Sequence, residues 1–162
     1  MGQMSYVVIM EDFQPLNGPP ESLDLLGLED VSAQYGNYSS HDISMINIAR
    51  IGLTVESLYH FASQVSLSKE KLAYLLNTST RNLRRYSEGE KLSSSVSEKL
   101  LLLAEIYQKG IKIFGSIDLF NEWLEEANLQ FGNRKPIQIL DTFIGYRLIV
   151  EELIKIEHGV FS

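Results

Sequence analysis

Residues 69–87 read KEKLAYLLNTSTRNLRRYS, and their pattern decides the fold. Leu72, Ala73 and Leu76 fall on one face of a first short helix, which Asn77-Thr78-Ser79 interrupts. Ser68 is placed to cap that helix and Ser79 to cap the next, each accepting a hydrogen bond from a free backbone N–H of the first turn. Leu83 and Tyr86, three residues apart, share a face and turn back toward the first helix. Thr80, Arg81, Asn82, Arg84 and Arg85 are left facing outward. The small side chain of Ala73 lets the two helices cross closely. The spacing predicts a helix-turn-helix whose second helix enters a DNA major groove.

The 162 residues, 44% of them apolar, suffice for a real core in one domain or two small ones. There is no cysteine, which excludes a disulfide framework and any cysteine-ligated metal site and fits a reducing, cytoplasmic setting. The opening MGQMSYVVIMED has no basic n-region, and its apolar run is too short for a signal peptide or a membrane span, so no membrane partner is expected. Tyr6 stands where a myristoylation motif needs Ser or Thr.

A net charge of −7 counts against a simple nucleic-acid binder, but its distribution weakens the objection. Residues 1–54 carry one basic and seven acidic groups, residues 55–95 six and four, and residues 96–162 seven and ten. The net-positive stretch is the one with the helix-turn-helix pattern. An acidic protein can present a local basic face to phosphates, with binding that weakens as salt rises.

Working outward, residues 5–11 are β-prone and suit a short strand. Residues 12–41 are punctuated by Pro15, Gly18, Pro19, Pro20, Gly27 and Gly36, with LDLLGL as their apolar cluster, and read as loop-rich. Residues 43–52 fit either a short helix or a strand. From Thr54, a candidate cap, the chain reads helical, with Leu58, Phe61, Ala62 and Val65 at i, i+3, i+4 and i+7. The serine run after Gly89 caps a long helix over residues 96–114. Its apolar stripe (Val96, Leu100, Leu103, Tyr107, Ile111, Phe114) is widened by Leu101, Leu102 and Ile106. A stripe so wide is packed on more than one side, either within the chain or in a homodimer. Gly115 ends this helix and Ser116 caps another, with Ile117, Phe120, Trp123 and Leu124 inward. Pro136 suits the first turn of a short helix. A last helix over residues 145–157 places Leu148, Ile149, Leu153 and Ile156 on its inner side, and Gly159 follows as its cap.

Nothing in the sequence proposes a reaction. His41, His60 and His158 are far apart, no metal-ligand spacing or glycine-rich phosphate loop occurs, and the pairs Glu125-Glu126 and Glu151-Glu152 read as solvated helix surface. No catalytic residue, metal or cofactor is therefore expected. Arg81, Arg84 and Arg85 taken alone fit an ordinary solvated face as well as a DNA reader. The apolar partners Ala73, Leu76, Leu83 and Tyr86 around them favour the reader. Guanidinium groups can pair with guanine edges or clamp phosphates, and Asn82 can pair with adenine.

The C-terminal third, FGNRKPIQILDTFIGYRLIVEELIKIEHGVFS, resembles the toxin-binding domain of the MbcA/ParS/Xre antitoxin family. The resemblance lies in Gly132 and Arg134-Lys135-Pro136 before a short helix, then Leu140-Asp141-Thr142, Gly145, Val150-Glu151, Leu153 and the ending Ile156-Glu157-His158-Gly159-Val160-Phe161-Ser162. Upstream, Gly52-Leu53 through SLSKEKLAYLLNTSTRNLRR resembles the family's Xre-type DNA-binding module. Asn77 and Asn133 replace glycines of the family pattern; Asn tolerates left-handed backbone, so the first change is mild.

The resemblance covers residues 50–162 and implies an all-α protein, with residues 50–114 the helix-turn-helix domain and residues 115–162 a small helical toxin-binding domain. Residues 1–49 lie outside it and are read as a variable N-terminal segment, in which the β-prone stretch 5–11 suits a short strand. The resemblance implies a non-enzymatic antitoxin with two partners. One is a cognate toxin from the neighbouring gene, of the NAD-consuming RES type or ADP-ribosyltransferase-like. The other is operator DNA, through which the antitoxin represses its own promoter. DNA contacts are expected from Thr80, Arg81, Asn82, Arg84 and Arg85. Toxin contacts are expected from Glu157, His158, Gly159, Val160, Phe161 and Ser162, where an aromatic anchor stands beside a terminal carboxylate. A homodimer is expected because one short recognition helix covers only a few base pairs. A second reading stays open: a stand-alone regulator whose C-terminal module dimerises or binds another ligand.

Overall fold

The computed structural model describes residues 21–28 and 41–159. Among them run seven α-helices: α1 (His41–Ile51), α2 (Val55–Gln64), α3 (Lys69–Leu75), α4 (Thr80–Arg84), α5 (Ser94–Phe114), α6 (Ile117–Glu125) and α7 (Phe143–Glu157). Short 3-10 segments cover Glu21–Leu26, Leu129–Phe131 and Pro136–Gln138. Extended pairing among the described residues is confined to two isolated bridges, Thr54 with Lys91 and Asn128 with Arg134. The all-α expectation therefore holds. The strand expected over residues 5–11 lies outside the described residues. The ambiguous stretch 43–52 is helical, within α1.

Local chemistry sets most boundaries. Side-chain oxygens of Ser68, Ser79, Ser93, Ser116 and Thr142 accept from the N–H groups of Lys71, Asn82, Val96, Leu119 and Gly145. Thr54 departs from this. It occupies the cap position of α2, yet its hydroxyl lies 3.5 Å from that of Ser57 and bonds no backbone N–H of the helix. The N–H of Val55 is satisfied instead by the carbonyl of Glu90, across the bridge to the α4–α5 connection. Helices α5 and α7 end in left-handed glycines, Gly115 at φ 86° and Gly159 at φ 67°. Asn77 (φ 50°) and Asn133 (φ 61°), which the sequence resemblance sets against glycines, both adopt that left-handed conformation.

Helix α5 is the spine. It packs against α1, the segment Glu21–Leu26, α6 and α7. Leu100, Leu101, Leu103, Ala104, Ile106 and Tyr107 are all buried. The wide stripe that suggested a second copy is thus consumed within the chain, and the expected homodimer loses that surface as its support. One hydrophobic core spans both halves of the molecule. An aromatic chain runs through it. Phe61 of α2 meets Tyr107 edge-on at 5.6 Å, Tyr107 meets Phe120 at 5.2 Å, and Phe120 stacks on Trp123, which reaches Phe131. Such pairs add about 0.5–1.5 kcal/mol each beyond the area they bury. Asn121 ties the same elements with polar bonds, accepting from the Tyr107 hydroxyl (2.9 Å) and donating to the carbonyl of Val65 (3.0 Å).

The start of α7 is fixed by a close backbone approach. A Cβ on Gly145 would lie 1.7 Å from the carbonyl oxygen of Ile139. Gly145→Ala is expected to push α7 off the preceding loop and destabilise the protein by about 3 kcal/mol, measured by urea unfolding. A midpoint equal to wild type would contradict this packing.

Candidate functional site

The helix-turn-helix expectation places five outward residues on α4 and its C-cap Arg85, and the structure puts four of them in solvent. Arg81, Asn82, Arg84 and Arg85 are exposed, whereas Thr80 is half-buried at the start of the helix. No ion pair engages the three guanidinium groups among the described residues, so they are available to phosphates or base edges. Leu83 is buried, Tyr86 packs half-buried against the core, and Ala73 is buried where α3 meets α4. Tyr59 of α2 donates to the carbonyl of Leu83.

Helix α4 is only five residues long. Burying Leu83 stabilises it by about 2 kcal/mol. Ordering five residues of backbone costs roughly 5–10 kcal/mol. The helix therefore depends on what holds its two ends. At its C-terminal side, residues 87–92 are stapled to residues 53–56. Leu92 donates to the Leu53 carbonyl, Glu90 accepts from Val55, and Gly89 donates to the Glu56 carboxylate. That bond from Gly89 is the main reason the Glu56 carboxyl is held below the usual carboxylate range. The Leu53 N–H also reaches the buried Ser97 hydroxyl at 2.9 Å. At its N-terminal side, the turn leans on the C-terminal module. Tyr74 donates to the carbonyl of Gln138 and Asn77 to that of Asp141, both at 2.9 Å. Beside them Lys71 and Lys135 both pair with Glu125. Chiefly the hydrogen bond from Lys71 keeps the Glu125 carboxyl below the usual range, against an opposing effect of burial and with help from Lys135.

At the other end, Glu157 closes α7, His158 is its exposed cap, and Gly159 turns the chain. Val160, Phe161 and Ser162, expected to contact a toxin, lie outside the described residues. Glu157 is engaged within the chain: Lys109 of α5 donates to it at 3.0 Å, which lowers the Glu157 pKa.

The sequence reading missed the outer face of α7. Leu148, assigned to the core, is 39% exposed, because Ile149 and Leu153 with Gly145 form the inner face and Leu148 sits a third of a turn away. With it stand Phe143 (71% exposed), Ile144 (64%) and Ile154 (40%), interspersed with Arg147, Glu151 and Lys155. The spacing 144, 148, 151, 155 was the available signal: a second, outward apolar-and-charged stripe on one helix.

Fold and surfaces together define a helix-turn-helix protein with an appended helical binding module. Two family models match it: the antitoxin Xre-like helix-turn-helix domain over residues 46–105, and the antitoxin Xre/MbcA/ParS C-terminal toxin-binding domain over residues 109–159. The chain belongs to the Xre/MbcA/ParS antitoxin family. The matches meet inside α5, the helix that both halves share. A curated relative, the Prs ADP-ribosylating antitoxin of Sphingobium sp. (strain YBL2), is 23% identical over 135 residues, 77% of this chain and 85% of the relative. The crystal structure of the M. tuberculosis MbcT–MbcA toxin–antitoxin complex contains a chain similar in fold, with a TM-score of 0.51 at 18% identity, covering 67% of this chain and 96% of that one.

Proposed function

We propose that this antitoxin neutralises a cognate NAD-consuming toxin by docking α7 and the segment 157–162 against it, and represses its own promoter through α4. The observation that carries the first part is the row of exposed apolar side chains on α7, inside the region matched by the toxin-binding domain. Exposed Phe143 and Ile144 in a soluble helical module mark an interaction surface. Aromatic and aliphatic anchors of this kind dominate interface hot spots. The name of the Sphingobium relative supports a partner that uses ADP-ribosyl chemistry, for which NAD is the ordinary donor; a RES-type toxin or an ADP-ribosyltransferase-like one both fit. Three exposed arginines on α4 and its C-cap, with no ion-pair partner among the described residues, support the second part.

In this reading inhibition is occupancy. The antitoxin supplies no reacting group. Phe161 enters the mouth of a site built for an anionic nucleotide, and α7 supplies the broad contact. Glu157 also holds the end of α7 on Lys109, so the docking segment starts from an anchored helix end.

Truncation after His158 tests the division of labour. Cells co-expressing the toxin with the truncated chain are expected to stop growing, while the purified pair still associates through α7. Full protection by the truncated chain would assign inhibition to α7 alone.

A further inference from the structure

Leu83 holds one side of α4 in the core, and two hydrogen bonds at the entrance to the helix reach into the other half of the molecule. Tyr74, on α3, and Asn77, at the left-handed turn, donate to the carbonyls of residues 138 and 141. Those acceptors sit on the loop that leads into α7, whose cap Thr142 is the next residue. The loop is itself immobilised: Gln138 accepts from the Lys135 N–H, and Thr142 bonds both the Ile139 carbonyl and the Gly145 N–H. Partial burial first, and then the neighbouring Asp141 carboxylate, raise the Tyr74 pKa. A cavity of about 240 Å³ lies against the same loop, lined in part by Leu75, Leu103, Leu140, Phe143 and Tyr146.

We infer that Tyr74 and Asn77 are positioning residues for DNA reading: they latch the turn of the helix-turn-helix to the loop 138–141 of the toxin-binding module and so set the direction of α4. Neither residue needs to touch DNA for this. The turn in this chain is asparagine, which serves twice. Its backbone takes the left-handed conformation, and its amide reaches across to the Asp141 carbonyl. A glycine there would give the turn without the latch. Recognition then belongs to the whole chain, since the acceptors lie outside the region matched by the helix-turn-helix model.

The test uses the full chain carrying Asn77→Gly, which keeps the left-handed turn, together with Tyr74→Phe, which removes only the hydroxyl. Binding is measured to a promoter duplex and to a scrambled duplex of equal length, alongside amide hydrogen exchange. Affinity for the promoter is expected to fall about tenfold while affinity for the scrambled duplex stays within twofold. Base contacts depend on the aim of the helix, whereas attraction to phosphates does not. Exchange is expected to quicken over residues 77–85 and to remain unchanged in α5. A merely structural role would lower both affinities alike and loosen α5 as well. Promoter affinity within twofold of wild type, or unchanged exchange over residues 77–85, overturns the inference. Should the wild-type chain itself not prefer the promoter, autorepression falls as a function, and exchange over residues 77–85 still decides whether the latch orders α4.

Discussion

Replacing Arg81, Arg84 and Arg85 together by alanine is expected to lower affinity for the promoter duplex by about a thousandfold or more. Each arginine that pairs with a base edge contributes about 1–3 kcal/mol, so three such contacts amount to about 3–9 kcal/mol, a range that contains the roughly 4 kcal/mol this loss represents. All three are exposed, with no ion-pair partner among the described residues, so the substitutions leave no buried charge unpaired and the fold is expected to persist. The mechanism of each contact can be separated. If Arg84 reads a base, Arg84→Ala relaxes sequence preference; if it touches a phosphate, binding weakens on all sequences and the salt dependence drops by about 0.9 in logarithmic slope. An electrophoretic shift assay over a salt series distinguishes the two. Promoter binding by the triple variant at wild-type strength would exclude α4 as the reader.

The second large effect concerns α7. Ile144→Asp with Leu148→Asp is expected to abolish capture of the toxin while leaving the chain folded. Both side chains face solvent in the free protein, so a carboxylate there carries little cost to folding. In a complex the same carboxylates are buried against the partner without counter-charges. Truncating a hot-spot side chain costs about 2 kcal/mol or more, and two of them lower affinity roughly a thousandfold. Circular dichroism checks that the helices remain, and the promoter shift assay checks that α4 still works. A variant that has lost toxin binding and kept promoter binding places the two functions on separate surfaces.

Local chemistry was legible in the sequence. The serines at 68, 79, 93 and 116 cap helices because a cap needs only an oxygen at the right offset from an N–H. The left-handed Gly115, Gly159 and Asn77 were readable for a similar reason. Thr54 occupies a cap position without capping: its hydroxyl lies against that of Ser57, and the chain there is held by a bridge to the distant α4–α5 connection. The hydrophobic stripe of α5 was legible as wide. Which elements cover it depends on packing that periodicity does not encode. Leu148 shows the same limit at one residue, since its placement turns on a rotation of a third of a turn that the close approach of Gly145 to Ile139 fixes. The pairing of Glu157 with Lys109, 48 positions apart, and the reach of Tyr74 and Asn77 into the loop 138–141 are tertiary facts with no local signature. Of the candidate site, the arginine face was readable in the sequence, and the apolar α7 face became visible only with the fold.

The central claim is that one chain carries a toxin-binding surface on α7, separate from its DNA reader. Isothermal titration of the neighbouring gene's purified product into the full chain and into the Ile144→Asp, Leu148→Asp variant tests it most directly. The account predicts submicromolar binding by the wild-type chain and no measurable binding by the variant. Equal binding by the two chains, or no binding by the wild-type chain, would contradict it.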